Sequence, residues 1–256
     1  MIRGLYTAVS GLISEEARQQ VITNNLANAN TNGYKGDDLR VKDFKEVMLN
    51  NYDKVVNGKN VRQELGNLSM GSKIDDVITK FTQGPITETG KKTDFAIDGK
   101  GFFTVEGSNG KRYYTRDGRF HVDIKGNLVD NNGNSVLGVN TQTNNVEPVN
   151  VGNSKIQCDS LGNILLNGNQ KYKFQFANFE EGQIKKVGDN LYTSNAQPSA
   201  GNVHVKQGYV EKSNVNVINE MVEMMTTMRN FESNQKVVQT MDETLGKLIS
   251  QVGDVR

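Results

Sequence analysis

Residues 217–250 read VINEMVEMMTTMRNFESNQKVVQTMDETLGKLIS, and how they fold decides the architecture of the chain. Glycine and proline are absent from Tyr209 to Leu245, so nothing local stops a long helix there. Val217, Met221, Met224, Met228, Phe231, Gln235, Val238, Asp242, Leu245, Ile249 and Val252 follow alternating steps of four and three, the spacing of a heptad seam. Nine of these eleven are apolar, so one face of the helix needs a partner. Asn216 stands where an N-cap belongs, Glu220 and Glu223 lie early and Lys247 late, the order that suits a helix dipole. A second apolar set, Ile218, Val222, Met225, Val237, Met241 and Leu248, makes the surface wider than a two-stranded seam needs. That width predicts more than one neighbour.

The N-terminal segment is the natural first neighbour. Ile2, Leu5, Val9 and Leu12 form a stripe that drifts through Ile13 and Ala17 towards Val21, Ile22 and Leu26. Gly4 and Gly11 weaken its start by about 1 kcal/mol each. The pattern then runs into NNLANANTNGYKG, residues 24–36, where five of the nine positions from Asn24 to Asn32 are asparagine. Amide side chains donate and accept, so such a run satisfies backbone groups where a helix stops and the chain turns. Asn32-Gly33 favours positive φ and a tight turn. A second reading makes the same amides a contact surface for other chains.

Helix breakers are confined to the middle. The prolines are Pro85, Pro148 and Pro198, and 17 of the 26 glycines lie from Gly84 to Gly208. Short strands are expected at 94–97, 102–105, 113–115, 119–122 and 136–139, separated by Asn109-Gly110, Asp117-Gly118, Gly126-Asn127 and Asn132-Gly133. Such spacing implies antiparallel meanders. Tyr172, Phe174 and Phe176 alternate with Lys173 and Gln175, a strand with one buried face. GNLVDNNGN at 126–134 and GNILLNGN at 162–169 suggest a reused hairpin. Between Tyr34 and Gln83, Val41, Phe44, Val47, Met48 and Val55 allow a short helix, and Ile74, Val77 and Ile78 an extended stretch. The predicted fold is α+β: a β-rich antiparallel centre (90–207) flanked by helical ends (1–33 and 208–256) that pair as a coiled-coil-like core, with a partly extended connector at 34–89.

Composition excludes several classes of function. With 30 basic and 29 acidic residues intermixed, no basic stripe invites nucleic acid. The apolar stretches are too short for a membrane span, and the start does not read as a cleavable signal peptide. Cys158 has no Cys or His neighbour and is expected to be a small apolar residue in a strand. His121 and His204 lack partners at metal-ligand spacing, and the Asp residues at 98, 117 and 130 are more simply turn formers than a carboxylate pair. GPITETGKKT, residues 84–93, has five residues between Gly84 and Gly90 where a phosphate loop has four. No catalytic, metal or cofactor site, and no small-molecule substrate, is expected.

Three stretches in register carry a resemblance. LYTAVSGL with NNLANANTNGYKG at the start, TDFAIDGKGFF with YYTRDGRF and GNLVDNNGNSVLG in the middle, and GYVEKSNVNVINEMVEMM with NFESNQKVVQTMDETLGKLI at the end together resemble the flagellar basal-body rod and hook family. The C-terminal stretch is most similar to the distal rod member. The resemblance implies a structural, non-enzymatic subunit of the bacterial flagellum's basal body, exported by the flagellar export apparatus without signal cleavage. It implies assembly with copies of itself into a hollow helical tube that transmits torque, and with other rod and hook proteins. On that reading assembly would run through Leu5, Val9, Leu12, Asn24, Asn25, Leu26, Asn28, Asn32, Gly33 and Tyr34 at one end. At the other it would run through Ser213, Asn214, Val215, Met221, Met224, Met228, Phe231, Val238, Leu245 and Ile249. The end helices would expose their apolar faces before docking, and so be largely disordered or loosely helical in the monomer and order on docking. The alternatives are a proximal rod or hook subunit and, in a different class, a secreted carbohydrate-binding or adhesive β-domain.

Overall fold

A computed structural model describes residues 2–44, 46–56, 59–180, 182–199 and 203–253. The chain divides into two compact units: Met1–Leu26, Asp37–Ile78 and Val217–Arg256 in one, Ala27–Gly36 and Thr79–Asn216 in the other.

The first unit holds both long helices, α1 (Ile2–Ala27) and α2 (Val217–Gly253). α2 begins directly after Asn216, as the capping pattern requires. The helices run in opposite directions. A Cβ added to Gly4 would lie 2.8 Å from Met241 Cε, one added to Gly11 would lie 3.0 Å from Asn234 Nδ2, and Asn25 Nδ2 donates to Glu220 Oε2 at 3.3 Å. Ascending positions on α1 thus meet descending positions on α2, at intervals of seven on both between the glycine contacts. The glycines that weaken α1 as an isolated helix leave room for the Met241 and Asn234 side chains of α2.

The rest of this unit is extended. Asp37–Asp43 pairs with Ser72–Thr79, and Val47–Val56 pairs antiparallel with Lys59–Leu68 in a separate two-stranded sheet. Ser72 is tied to α1, its backbone N–H donating to Ser10 Oγ at 3.2 Å and its hydroxyl lying 3.0 Å from Ser14 Oγ. Among the described residues the short helix expected around Val41 to Val55 is not formed: Val41, Val47, Met48 and Val55 lie in strands. Their Val-rich composition fits a pleated surface. The extended reading of Ile74 to Ile78 holds.

The second unit is built on a twelve-stranded sheet whose pairings are antiparallel. Phe102–Glu106 lies near its centre, paired with Arg112–Thr115 on one side and Ser135–Asn140 on the other. Expected strands are present at Phe95–Asp98, Phe102–Glu106, Arg112–Thr115, His121–Val122, Ser135–Asn140 and Asn169–Phe174. Both copies of the faint repeat are hairpins: Leu128–Val129 pairs with Ser135–Asn140, and Asn163–Leu166 with Asn169–Phe174. The core gathers Phe95, Phe103, Phe120 and Phe174, with edge-on ring contacts such as Phe103 to Phe120 at 5.2 Å and Phe103 to Phe174 at 5.4 Å. Tyr172 and Phe174 are buried as the alternation requires, and Phe176 is half-buried in the next strand. Cys158 packs against this core, its thiol pushed up to about 12 by burial and then by the Asp159 charge.

Two late strands close the unit. His204–Gln207 pairs with Phe95–Asp98, and Tyr209–Glu211 pairs with Ile86–Glu88. Each joins segments more than 100 residues apart, and no local signal in the sequence announces either.

Candidate assembly surfaces and a buried ion cluster

On α2 the covered positions form a single row. Glu220, Met224, Thr227, Phe231, Asn234, Val238, Met241 and Leu245 are the positions not exposed among its described side chains, and the steps between them are four or three throughout. Four members of the expected seam, Met224, Phe231, Val238 and Leu245, lie in this row. Val217, Met221, Met228, Gln235, Asp242 and Ile249 do not; they are exposed, Met221 by 49 %, Met228 by 46 % and Ile249 by 73 %. The side chains of Val252 and of Ile2, also expected to be apolar contacts, lie outside the described residues.

α1 presents Gly4, Ala8, Gly11 and Asn25 at heptad-related positions, and Gly4, Gly11 and Asn25 lie beside Met241, Asn234 and Glu220, all three in the covered row. Periodicity shows that α2 has a wide apolar face; it does not show which stripe of that face its own chain covers. The uncovered stripe holds Met221, Val222, Met225 and Met228, all exposed. α1 matches it in part: Ala8 and Ile22 are buried and Leu5, Leu12 and Leu26 half-buried, while Tyr6, Val9 and Ile13 are exposed. The hairpin Val47–Val56/Lys59–Leu68 is similar, with Val47, Met48, Val55, Val61 and Leu65 all more than 40 % exposed. An isolated two-stranded hairpin is marginal in water and leaves both edges unpaired.

The asparagines divide by environment. Asn25 is buried and works inside its own chain: its amide donates to Asp37 O at 2.8 Å and accepts from Asp37 N at 2.9 Å. Asn28 accepts from Thr31 N through its carbonyl at 3.0 Å, closing the turn after α1. Asn32 is buried and its carbonyl accepts from Asn190 Nδ2 at 3.0 Å. Asn24 and Asn30 are exposed. Gly33 has φ +70°, and a Cβ there would stand 2.4 Å from Asp117 N, so both conformation and space demand glycine. Tyr34 is buried, with Lys186 Nζ 4.0 Å above its ring.

The turn continues into an ion cluster that the sequence reading missed. Lys35 and Glu211 have fully buried side chains, and Lys35 Nζ donates to Glu211 Oε1 at 2.5 Å and to Thr82 O at 2.7 Å. Arg116 Nη1 donates to Glu211 Oε2 at 3.2 Å, its Nη2 to Gly99 O at 2.9 Å, and its guanidinium lies over the Phe102 ring. Glu211 Oε1 also accepts from Gly84 N at 2.9 Å, and its backbone carbonyl from Gly33 N at 2.8 Å. Burial pulls Lys35 and Arg116 below their ordinary ranges, and the Glu211 carboxylate opposes this in both. Asn214 stands beside them: Oδ1 accepts from Gly36 N at 2.8 Å, and Nδ2 donates to Lys80 O, Thr82 O and Thr82 Oγ1. Ser213 is buried and accepts from Val215 N through its hydroxyl. The available signal was an acidic residue in the apolar strand pattern Tyr209-Val210-Glu211.

Elsewhere the chemistry is sparse. Among the described residues no group of three or more His, Cys, Asp or Glu side chains could hold a metal ion, and no helix is long and apolar enough to cross a membrane. His121 and His204 are exposed on separate strands. A shallow groove of about 230 Å³ is lined by Tyr113, Asn109, Asn132 and Asn134, whose amides are already engaged with Tyr113 Oη, Asp189 O and Asp130.

Comparison with known proteins converges on one assignment. "Flagella basal body rod protein" matches residues 5–35, "Flagellar hook protein FlgE/F/G D1 domain" residues 96–166 and "Flagellar basal body rod FlgEFG protein C-terminal" residues 206–251. The chain is similar to the flagellar basal-body rod protein FlgG of Bacillus subtilis, 31 % identical with 98 % of this chain and 99 % of the relative covered. It is equally similar, 31 % identical over 100 % of both chains, to the flagellar hook-basal body complex protein FlhO of the same organism. The flagellar basal-body rod protein FlgF of Caulobacter vibrioides also matches at 31 % over 100 % of both chains.

Proposed function

This chain belongs to the flagellar basal-body rod family and is a structural subunit of the rod; from that premise we propose that it polymerises through its helical ends into the hollow distal shaft. The observation that carries the reading is the uncovered stripe of α2. Met221, Val222, Met225 and Met228 remain exposed while the neighbouring row is covered, so the helix keeps an apolar face for other copies. The covered row supplies coiled-coil-like pairing within the subunit, and the uncovered one supplies contacts between subunits. A head-to-tail contact whose rotation does not close a ring generates a helical filament, which is how one surface builds a tube. The exposed apolar residues of the hairpin at 47–68 support a further inter-subunit contact. Export through the growing tube by the flagellar export apparatus, with the N-terminus retained, completes the reading.

Similarity to FlgF at the same identity favours a second reading, a more proximal position in the same rod. Both readings require the same surfaces, so one experiment tests them. Met221→Ser/Met225→Ser/Met228→Ser touches no covered position of α2. We expect a chain that is expressed and exported, with the thermal transition of the β-rich unit unchanged, but absent from purified rods and unable to restore motility. Normal rods built from this variant would overturn the proposal.

A further inference from the structure

The chain passes into or out of the β-rich unit through three segments: 27–36 after α1, 79–84 after the Ser72–Thr79 strand and 211–216 before α2. All three meet in one buried place. Lys35 belongs to the first, Thr82 and Gly84 to the second and Glu211 to the third, and the Lys35 ammonium bonds to one group from each of the other two. Glu211 returns the pattern, accepting from Gly84 N with its side chain and from Gly33 N with its backbone. Asn214 repeats it a few residues on, joining Gly36 N to Lys80 O and Thr82 O through one amide. Lys80 N donates in turn to Gly36 O at 2.8 Å. Arg116 anchors the cluster to the body of the unit, because it sits directly after the core strand Arg112–Thr115 and stacks on Phe102.

The geometry points to a preformed joint: Lys35, Glu211, Arg116 and Asn214 fasten the three passages to each other and to the sheet, and they stay fastened in the free chain whether or not the helices are ordered. Every group in the cluster belongs to the β-rich unit, so its closure needs nothing from the helices. The two buried cations also oppose opening the Glu211 passage alone, since both would be left without the carboxylate that compensates their burial. A load carried along any one passage is then shared by the other two, and the turn that follows α1 is held by the β-rich unit rather than by α1. This inference concerns the free chain and does not depend on what the chain assembles into.

Hydrogen exchange on the soluble full-length chain tests it. The amides of Gly33, Gly36, Lys80 and Gly84 are expected to exchange as slowly as that of Val105 in the core strand, under mild denaturant in which α2 amides exchange freely. Asn214→Ala, which buries no unpaired charge, should speed exchange at Gly36 and Lys80 at least 100-fold and leave Val105 unchanged. Glu211→Gln should do the same at Gly33 and Gly84; if that variant fails to fold, the wild-type chain and Asn214→Ala decide. Joint amides that exchange together with α2 in the wild type would overturn the inference. So would an Asn214→Ala chain in which Gly36 is unaffected, or in which Val105 accelerates in parallel.

Discussion

At the scale of single residues, the segment after α1 is determined by conformation and by buried polar chemistry. Gly33 combines a positive φ with backbone packed where a side chain would stand. Gly33→Ala should therefore destabilise the β-rich unit by more than the ~1 kcal/mol that left-handed backbone costs a residue with a Cβ. A fall of several degrees in its calorimetric transition is expected, and an unchanged transition would show that the turn relaxes freely. Asn25 is the amide counterpart: it satisfies both backbone groups of Asp37 from a buried position. Asn25→Leu removes both of these bonds and should cost the helical unit ~1–3 kcal/mol, read as a shift in its denaturant midpoint. The Asn-Gly signal made the turn legible in advance. Lys35, Arg116 and Glu211 were not legible, because their partners are far apart in sequence and charge at each position reads equally well as a solvated surface group.

At the scale of elements, helices and hairpins were legible to different degrees for one physical reason. A long helix announces itself through many repeats of its period, so both end helices could be placed from the pattern alone. Which row of α2 meets α1 is not written in the period of α2, and the α2 residues beside Gly4, Gly11 and Asn25, namely Met241, Asn234 and Glu220, all lie in the row containing Thr227 and none in the row containing Met221 and Met228. Hairpins with tight turns in the β-rich unit were equally plain, while the closing pairs at Phe95–Asp98 and Ile86–Glu88 rest on partners far along the chain. The exposed hairpin at 47–68 misled the helical reading because so few residues carry its pattern. Replacing Val55, Val61 and Leu65 by Thr should leave the soluble chain's thermal stability within about 0.5 kcal/mol, since these side chains are already exposed. The same replacement should reduce the mechanical stability or length of rods seen by electron microscopy. Rods of normal length and resistance would remove the hairpin from the assembly surface.

At the scale of the whole molecule, the two units differ in what they have finished. The β-rich unit closes its own aromatic core and binds its own chain passages through buried ions. The helical unit covers a row running from Glu220 to Leu245 and leaves the apolar stripe Met221, Val222, Met225 and Met228 uncovered, so its burial is incomplete in a single chain. That asymmetry is what the proposed assembly needs: the β-rich unit has a closed core of its own, and the uncovered stripe of α2 would gain its apolar burial from neighbouring copies. The most direct test is methionine oxidation footprinting with dilute peroxide, comparing the soluble chain with purified rods that contain it. Met221, Met225 and Met228 are predicted to oxidise readily in the soluble chain and to be strongly protected in rods. Equal reactivity of these three methionines in both states would contradict assembly through the uncovered face of α2.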